Sequence, residues 1–194
     1  ITLYVPGVGT LRGDDALHLV VELWCRTRGD VEGAIAVPLT ASAAVETIAS
    51  RYGREVIRPG KSRRALAQAV LEGRAVVGGG TFGGFIFGDF FPGFDGVLAV
   101  GMISSMLDIS DASLAELIAE LPVFHKLHSS IFCPVDRKGA VMRAVTEATA
   151  GMDVNLTEGV RIHEDTGWAL VLPDSSEPVV NIWAEGVSGD DVEG

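Results

Sequence analysis

The chain has 194 residues, of which 47% are hydrophobic and 21% charged, and its net charge at pH 7 is −11. That length can bury the core of one large domain or two small ones. An acidic surface repels nucleic acid and anionic membranes, which are bound by clustered lysine and arginine. His18 and Glu22 interrupt the longest apolar run, so no segment reaches the roughly 20 apolar residues of a membrane span. We therefore expect a globular protein that binds neither nucleic acid nor membranes.

Both ends of the chain look cut within structural elements. Residues 1–5 begin with Ile1 rather than Met and already resemble a strand, and residues 189–194 resemble the start of a helix. We therefore expect a piece of a longer protein, or a chain with missing ends. No signal peptide is recognisable, and Cys25 and Cys133 lack the spacing of a metal or redox motif. The two cysteines indicate reduced thiols in a cytoplasmic protein.

Strand-like and helix-like segments alternate along the first two thirds of the chain. After the strand at residues 1–5, apolar spacing predicts a helix capped by Asp14 or Asp15 and running to about Thr27. The segments that follow are a strand at 33–39, a helix from Ser42 closed by Gly53, a strand at 55–58, a helix at 62–71 and a strand at 74–77. This alternation predicts an α/β/α layered domain with a mixed, mostly parallel sheet.

The rest of the chain has a different pattern. A glycine run at residues 78–84 and a short apolar segment are followed by two helices, at about 95–107 and 113–121, and Pro122 marks a predicted domain boundary. Beyond it we predict strands at 127–132, 159–163, 168–172 and 179–185, with a helix at 137–150. Strands that pair over one helix predict a small α+β domain.

Four segments, in order, resemble conserved segments of one family, the α-D-phosphohexomutases, which include phosphoglucomutase and phosphomannomutase. Gly78-Gly-Gly-Thr-Phe-Gly-Gly84, with Asp95-Gly96, is similar to the sugar-recognition loop Gly-Gly-Glu-x-Ser/Asn-Gly-Gly/His and its Asp-Gly. Leu172-Pro-Asp-Ser-Ser-Glu-Pro178 is similar to the phosphate loop Arg-Pro-Ser-Gly-Thr-Glu-Pro. Residues 158–168 resemble the segment before that loop, and residues 1–15 the turn after the family's magnesium loop. The resemblance covers almost the whole chain.

The resemblance implies a division of the chain into family domains. Residues 1–12 would be a remnant of the preceding metal-binding domain. Residues 13–122 would be domain three, which orients the sugar, and residues 123–194 domain four, a TATA-binding-protein-like α+β domain that holds the phosphate that is not reacting.

The resemblance also implies a reaction that this chain cannot complete. Family members interconvert hexose 1- and 6-phosphates through a bisphosphate, using a phosphoserine in domain one and a magnesium ion held by three Asp in domain two. Neither loop occurs in this sequence. Phosphoryl transfer needs positioning and charge neutralisation by the metal. We therefore expect no catalytic residues and no metal site in this chain, with magnesium present only where the missing N-terminal half is present.

The sugar-site positions implied by the family differ here from the family pattern. Gly80 and Phe82 stand where the family has Glu and Ser, with Thr81 between them. Phe82 would either stack under a sugar ring or pack within the protein. In the basic cluster at residues 58–64, Lys61 and Arg63 would touch phosphate or form a solvated first helical turn.

The phosphate-site positions implied by the family have lost their cations. They are Asp174, Ser175, Ser176 and Asn181, and Leu172 stands where the first Arg is usual. Asp174 replaces a Ser and adds a carboxylate, whose repulsion of a phosphate 4 Å away is roughly 4 kcal/mol per unit charge at an effective dielectric constant of 20. Ser175, Ser176 and backbone N–H groups would remain as donors.

Three interpretations follow from these residues. The chain is part of an active phosphohexomutase that binds a phosphosugar, or a degenerate relative with an interaction or regulatory role. It could also be a binding module that receives its N-terminal half or another protein at the apolar segment 82–94. The alternative for that segment is packing on its own domain. His125 and His128 lack a third ligand and would point to opposite faces of a strand, which argues against a metal site.

Overall fold

The computed structural model describes residues 1–189 and Val192, so most of the predicted helix start at 189–194 lies outside the described residues. The chain forms two compact units, Ile1–Pro122 and Val123–Gly194. Among the described residues no helix is long and apolar enough to cross a bilayer.

The larger unit begins with a hairpin that the sequence pattern only half predicts. Strand β1 (Leu3–Val5) pairs antiparallel with β2 (Gly9–Leu11), and Leu3 lies opposite Leu11. A strand was predicted at residues 1–5, but β2 was not predicted. Its three residues become a strand only through pairing with β1.

A four-stranded sheet forms the middle layer of the larger unit. Its strands are β3 (Ile35–Ala36), β4 (Val56–Ile57), β5 (Val77–Gly79) and β6 (Phe85–Phe87). The strand order is β4-β3-β5-β6, in which β3 runs parallel to β4 and β5 while β6 runs antiparallel to β5. The prediction of a mixed, mostly parallel sheet is confirmed.

Five helices pack on the two faces of this sheet. They are α1 (Gly13–Thr27), α2 (Ala44–Arg51), α3 (Arg63–Leu71), α4 (Gly96–Ser110) and α5 (Leu114–Ala119). Successive strand residues alternate between two apolar clusters: Ile35 joins the core of α1, α2, α4 and α5, whereas Ala36 joins that of α3. The unit therefore has three α/β/α layers.

The cap predicted for α1 is wrong, and α3 has a cap that was not predicted. The side chain of Ser62 accepts a hydrogen bond from Ala65 N and caps α3. At α1 the N-cap is Arg12, which makes no side-chain cap, and Asp14 and Asp15 lie in the first turn. Asp14 Oδ1 instead accepts from Ser42 N at 2.8 Å, because the neighbouring loop brings that amide to it.

The strand expected at residues 74–77 lies further along the chain. Arg74 N and Ala75 N donate to Ala69 O, so these residues complete the end of α3. Strand β5 therefore starts at Val77 and takes up the beginning of the glycine run. A β-carbon at Gly79 would lie 2.6 Å from Leu17 Cδ1, so the absence of a side chain there allows α1 to pack closely on the sheet.

Within residues 123–189, which the structure describes, the smaller unit consists of a five-stranded antiparallel sheet and a helix. In chain order its elements are β7 (His125–Phe132), α6 (Val135–Ala148), β8 (Val154–Asn155), β9 (Val160–Glu164), β10 (Gly167–Pro173) and β11 (Val179–Gly186). The strand order is β7-β11-β10-β9-β8. The short edge strand β8 was not predicted, because two residues leave no detectable alternation of polar and apolar side chains.

Candidate functional site

Three loops meet at one edge of the larger unit's sheet. They follow the parallel strands β3, β4 and β5 and comprise residues 37–43, 58–62 and 80–84. Leu39 N donates to Gly60 O at 3.3 Å, which joins the first loop to the second. The carboxyl ends of parallel strands are where α/β proteins bind ligands. This edge contains Lys61, Thr81 and the other sugar-site positions implied by the family.

Arg58 holds the first loop in place. Its Nη1 donates to Pro38 O and Ala41 O, both at 2.9 Å, and its Nη2 donates to Ser42 O at 3.1 Å. The Glu46 carboxylate accepts two further hydrogen bonds from Arg58, each of 2.8 Å. The guanidinium of Arg58 therefore makes its hydrogen bonds within the protein. The sequence suggested a basic cluster here but did not reveal this role.

Arg63 connects the second loop to the third. Lys61 and Arg63 are both exposed, and Arg63 is the first residue of α3. The Arg63 Cζ atom lies 4.3 Å from the centre of the Phe82 ring, the geometry of a cation–π contact. Two site residues predicted separately are thus in direct contact.

Phe82 packs on its own loop. Its ring meets Phe94 edge-to-face, with centroids 5.2 Å apart, and remains 38% exposed. β-Carbons built at Gly80 and Gly84 would lie 2.2 Å and 2.4 Å from ring atoms of Phe82. One ring therefore covers two glycines. This packing agrees with the alternative in which segment 82–94 folds onto its own domain.

The loop between β10 and β11 is closed by its own carboxylate. Asp174 Oδ1 accepts from Ser176 N at 2.9 Å and from Glu177 N at 3.0 Å. The expectation that these backbone N–H groups remain available as donors is therefore wrong, because a short acidic side chain reaches the amides two and three residues later. Ser175 and Ser176 are exposed.

Lys138 supports this loop from helix α6. Its Nζ donates to Asp174 O at 2.5 Å and also to Glu177 O. The sequence did not reveal this contact, which joins residues more than 35 positions apart. The ammonium group is held by the loop's carbonyl oxygens.

The two positions at which the family resemblance implies arginine lie side by side on the sheet. Leu172 on β10 is directly opposite Asn181 on β11, and both are buried. Asn181 Oδ1 accepts from Ser130 Oγ at 2.7 Å and lies 3.2 Å from His128 Nε2. The His128 ring stacks on Trp183 with centroids 4.6 Å apart. Leu172, Asn181 and Ser130 thus form a row without an arginine, one residue pair away from the loop.

No metal-binding cluster is found in the part of the chain that the structure describes. Across residues 1–189 and Val192, no three His, Cys, Asp or Glu side chains are grouped so as to hold an ion. The magnesium that the family resemblance implies therefore does not fit the residues of this part.

Comparison with known proteins tests the family resemblance. The protein-family model described as "Phosphoglucomutase/phosphomannomutase, alpha/beta/alpha domain III" matches residues 12–124, more than half of the chain. The chain belongs to the phosphoglucomutase/phosphomannomutase family. The resemblance inferred from the four motifs is confirmed.

Members of this family from archaea are similar over nearly the whole chain. A phosphoglucomutase/phosphomannomutase of Thermococcus kodakarensis is 31% identical over 92% of this chain and 39% of its own length. A probable phosphoglucosamine mutase of Methanopyrus kandleri is 32% identical over 96% of this chain and 41% of its own length. The chain thus spans about two fifths of these relatives.

Solved structures share the fold. A phosphoglucomutase/phosphomannomutase family protein of Burkholderia thailandensis superposes with a TM-score of 0.74 at 17% identity, covering 95% of this chain and 40% of that one. Aspergillus fumigatus N-acetylphosphoglucosamine mutase, solved with GlcNAc-6P and magnesium, gives a TM-score of 0.62 at 12% identity, covering 99% and 44%. At these identities the likeness concerns the fold alone.

Proposed function

We propose that this chain is the carboxyl-terminal portion of a phosphohexomutase-like protein and that its larger unit binds a phosphosugar. The substrate class is a hexose or hexosamine phosphate, whose 1- and 6-phosphates the complete protein would interconvert. Residues 1–12 would belong to the preceding domain, residues 13–122 to the sugar-orienting domain three, and residues 123–194 to domain four.

The contact of Arg63 with Phe82 is the observation that carries this proposal. It joins the basic loop after β4 to the glycine loop after β5, at the ligand-binding edge of a parallel sheet. Lys61 lies on the same edge and is exposed. A cation beside a glycine loop suits a phosphorylated sugar, because the charge attracts the phosphate while backbone groups approach the hydroxyls. The relatives named above are phosphosugar mutases, which supports the same substrate class.

The chain by itself would bind the phosphosugar without catalysing phosphoryl transfer. The reaction of the family uses a phosphoserine and a magnesium ion, and this sequence contains neither of the loops that carry them. The residues of this chain would contribute binding and orientation of the sugar. The phosphoryl donor and the metal would come from the N-terminal half.

Calorimetric titration at low salt tests the binding. Glucose 1-phosphate, mannose 1-phosphate and glucosamine 1-phosphate are each titrated into the 194-residue chain. We expect millimolar or tighter binding to at least one ligand, weakened about tenfold or more in Lys61→Ala, which loses a charged contact. Arg64→Ala is the matched control, because Arg64 is also exposed and lies next to Arg63. Absence of heat with all three ligands, or equal losses in both variants, would contradict the proposal.

A second function is favoured by the altered loops. The Phe82 ring packs against Gly80, and Asp174 accepts hydrogen bonds from two amides of its own loop. In both the glycine loop and the loop between β10 and β11, groups that could contact a ligand therefore contact the protein instead. This favours a degenerate relative with an interaction or regulatory role, and Phe90 and Phe91, which are 60% and 51% exposed, offer an apolar contact surface. The coding sequence upstream of Ile1 separates the two functions. A Ser-His-Asn-Pro loop with an Asp-Gly-Asp-x-Asp-Arg loop supports the enzyme, and their absence supports the relative without activity.

A further inference from the structure

The loop between β10 and β11 already contains an anion. We infer that Asp174 is a specificity determinant whose carboxylate substitutes for a bound phosphate, so that residues 173–178 exclude phosphate dianions. The inference goes beyond the proposed function and rests on it in one respect, the assignment of residues 123–194 to domain four, because it concerns the loop that stands where the family binds phosphate.

The first step concerns the donors of the loop. A phosphate held in such a loop is bound by successive backbone N–H groups. Here the amides of Ser176 and Glu177 both donate to Asp174 Oδ1, at 2.9 and 3.0 Å. An incoming phosphate would have to displace an intramolecular carboxylate, which is always present at high effective concentration.

The second step concerns the nearest cation. Lys138 Nζ donates to the carbonyl oxygens of Asp174 and Glu177. The ammonium thereby stabilises the closed loop. A phosphate that recruited Lys138 would also have to break these two hydrogen bonds.

The third step concerns the adjoining strands. Leu172 and Asn181 lie directly opposite each other, one pair further from the loop than Pro173 and Val180. Leu172 offers no polar group, and Asn181 Oδ1 is engaged by Ser130 and His128. Neither residue supplies the bidentate fork by which arginine binds phosphate. Leu172 and Asn181 therefore supply no positive charge that would attract a phosphate.

Titration with inorganic phosphate, followed by ¹H–¹⁵N spectra of the full chain, tests the inference residue by residue. The wild type should show no saturable shift of the Ser176 and Glu177 amides. Asp174→Ala frees both amides and removes the charge, so these two signals should shift and saturate, with a dissociation constant at least about tenfold below the wild-type limit. Ser175→Ala, at an exposed neighbour, should behave as the wild type.

Asp174→Asn keeps an oxygen that can accept the same two hydrogen bonds but removes the charge. A gain in phosphate affinity confined to Asp174→Ala would support exclusion of phosphate through the occupied amides. An equal gain in phosphate affinity in both variants would support exclusion of phosphate through the negative charge. Saturable shifts of the Ser176 and Glu177 amides in the wild type would overturn the inference. So would the absence of any gain in phosphate affinity in every folded Asp174 variant. Shifts at Lys61 in the same spectra report separately on the proposed function, since they do not depend on position 174.

Discussion

The ring of Phe82 lies directly against Gly80, so closely that a β-carbon at position 80 would be 2.2 Å from Phe82 Cε1. The family resemblance implies Glu at the position of Gly80 and Ser at that of Phe82. The two differences are therefore physically coupled: the aromatic ring fits because position 80 has no side chain. Arg63, stacked on the same ring, makes the basic loop part of this arrangement.

We predict that Gly80→Ala destabilises the larger unit by about 1–3 kcal/mol, because the added methyl group must displace the Phe82 ring. In a Phe82→Ala background the same substitution should cost much less, which gives a positive coupling in a double-mutant cycle measured by urea denaturation. Gly101→Ala is the control, since nothing lies within 4 Å of its added methyl group on helix α4. Additive costs at positions 80 and 82 would argue against the coupling.

Arg58 should be the residue of the basic cluster whose loss is most damaging to stability. Arg58→Ala removes the hydrogen bonds that three carbonyl groups and the Glu46 carboxylate accept from the guanidinium, and we expect the free energy of unfolding to fall by about 3 kcal/mol. Arg58→Lys should recover only part of it, because an ammonium cannot reproduce the planar set of donors. Thermal and urea unfolding measure the effect. A loss no greater than that of the exposed Arg64→Ala would show that the contacts contribute little.

The buried thiol of Cys25 should make stability depend on pH in the alkaline range. Desolvation by burial is the main cause that raises the pKa of Cys25 from 9.0 to about 12, and nearby Glu22 adds to it. The folded thiol thus keeps its proton where the unfolded thiol loses it. The contribution of Cys25 to the free energy of unfolding is complete below pH 9. It falls between pH 9 and 12, by up to about 1.4 kcal/mol per pH unit.

Comparison with Cys25→Ala isolates this contribution from those of other groups. The difference in unfolding free energy between wild type and variant should narrow by about 1–2 kcal/mol between pH 8 and pH 10.5. The folded protein should also resist thiol alkylation at Cys25 at pH 8, since only the thiolate reacts. A difference that stays constant with pH would contradict the raised pKa.

Neighbouring serines on β7 should differ in importance. Ser130 donates to the buried Asn181, so Ser130→Ala should destabilise the smaller unit by about 1 kcal/mol. Ser129 points to the opposite face of the strand, and Ser129→Ala should be nearly neutral. Hydrogen exchange at the β11 amides reports on the smaller unit alone. Equal effects of the two substitutions would show that the Ser130–Asn181 bond is not stabilising.

Local patterns in the sequence were sufficient to predict most elements and the family. The α/β alternation and the longer strands of the smaller unit follow from spacing over a few residues, because hydrophobic periodicity acts within one element. The family motifs are likewise short. What these patterns missed at the level of elements were β2 and β8 and the true start of β5, each of which depends on pairing or on how a preceding helix ends.

The state of the candidate site was decided by tertiary structure. Arg58 with loop 38–42, Arg63 over Phe82 and Lys138 under the loop of Asp174 each join residues between 16 and 36 positions apart. A sequence shows that a cation or a carboxylate is present, but only the folded chain determines whether a backbone group of the protein binds it first. Position 174 shows the difference: the sequence placed a negative charge in the loop, and the structure showed that this charge accepts the hydrogen bonds of the loop's own amides.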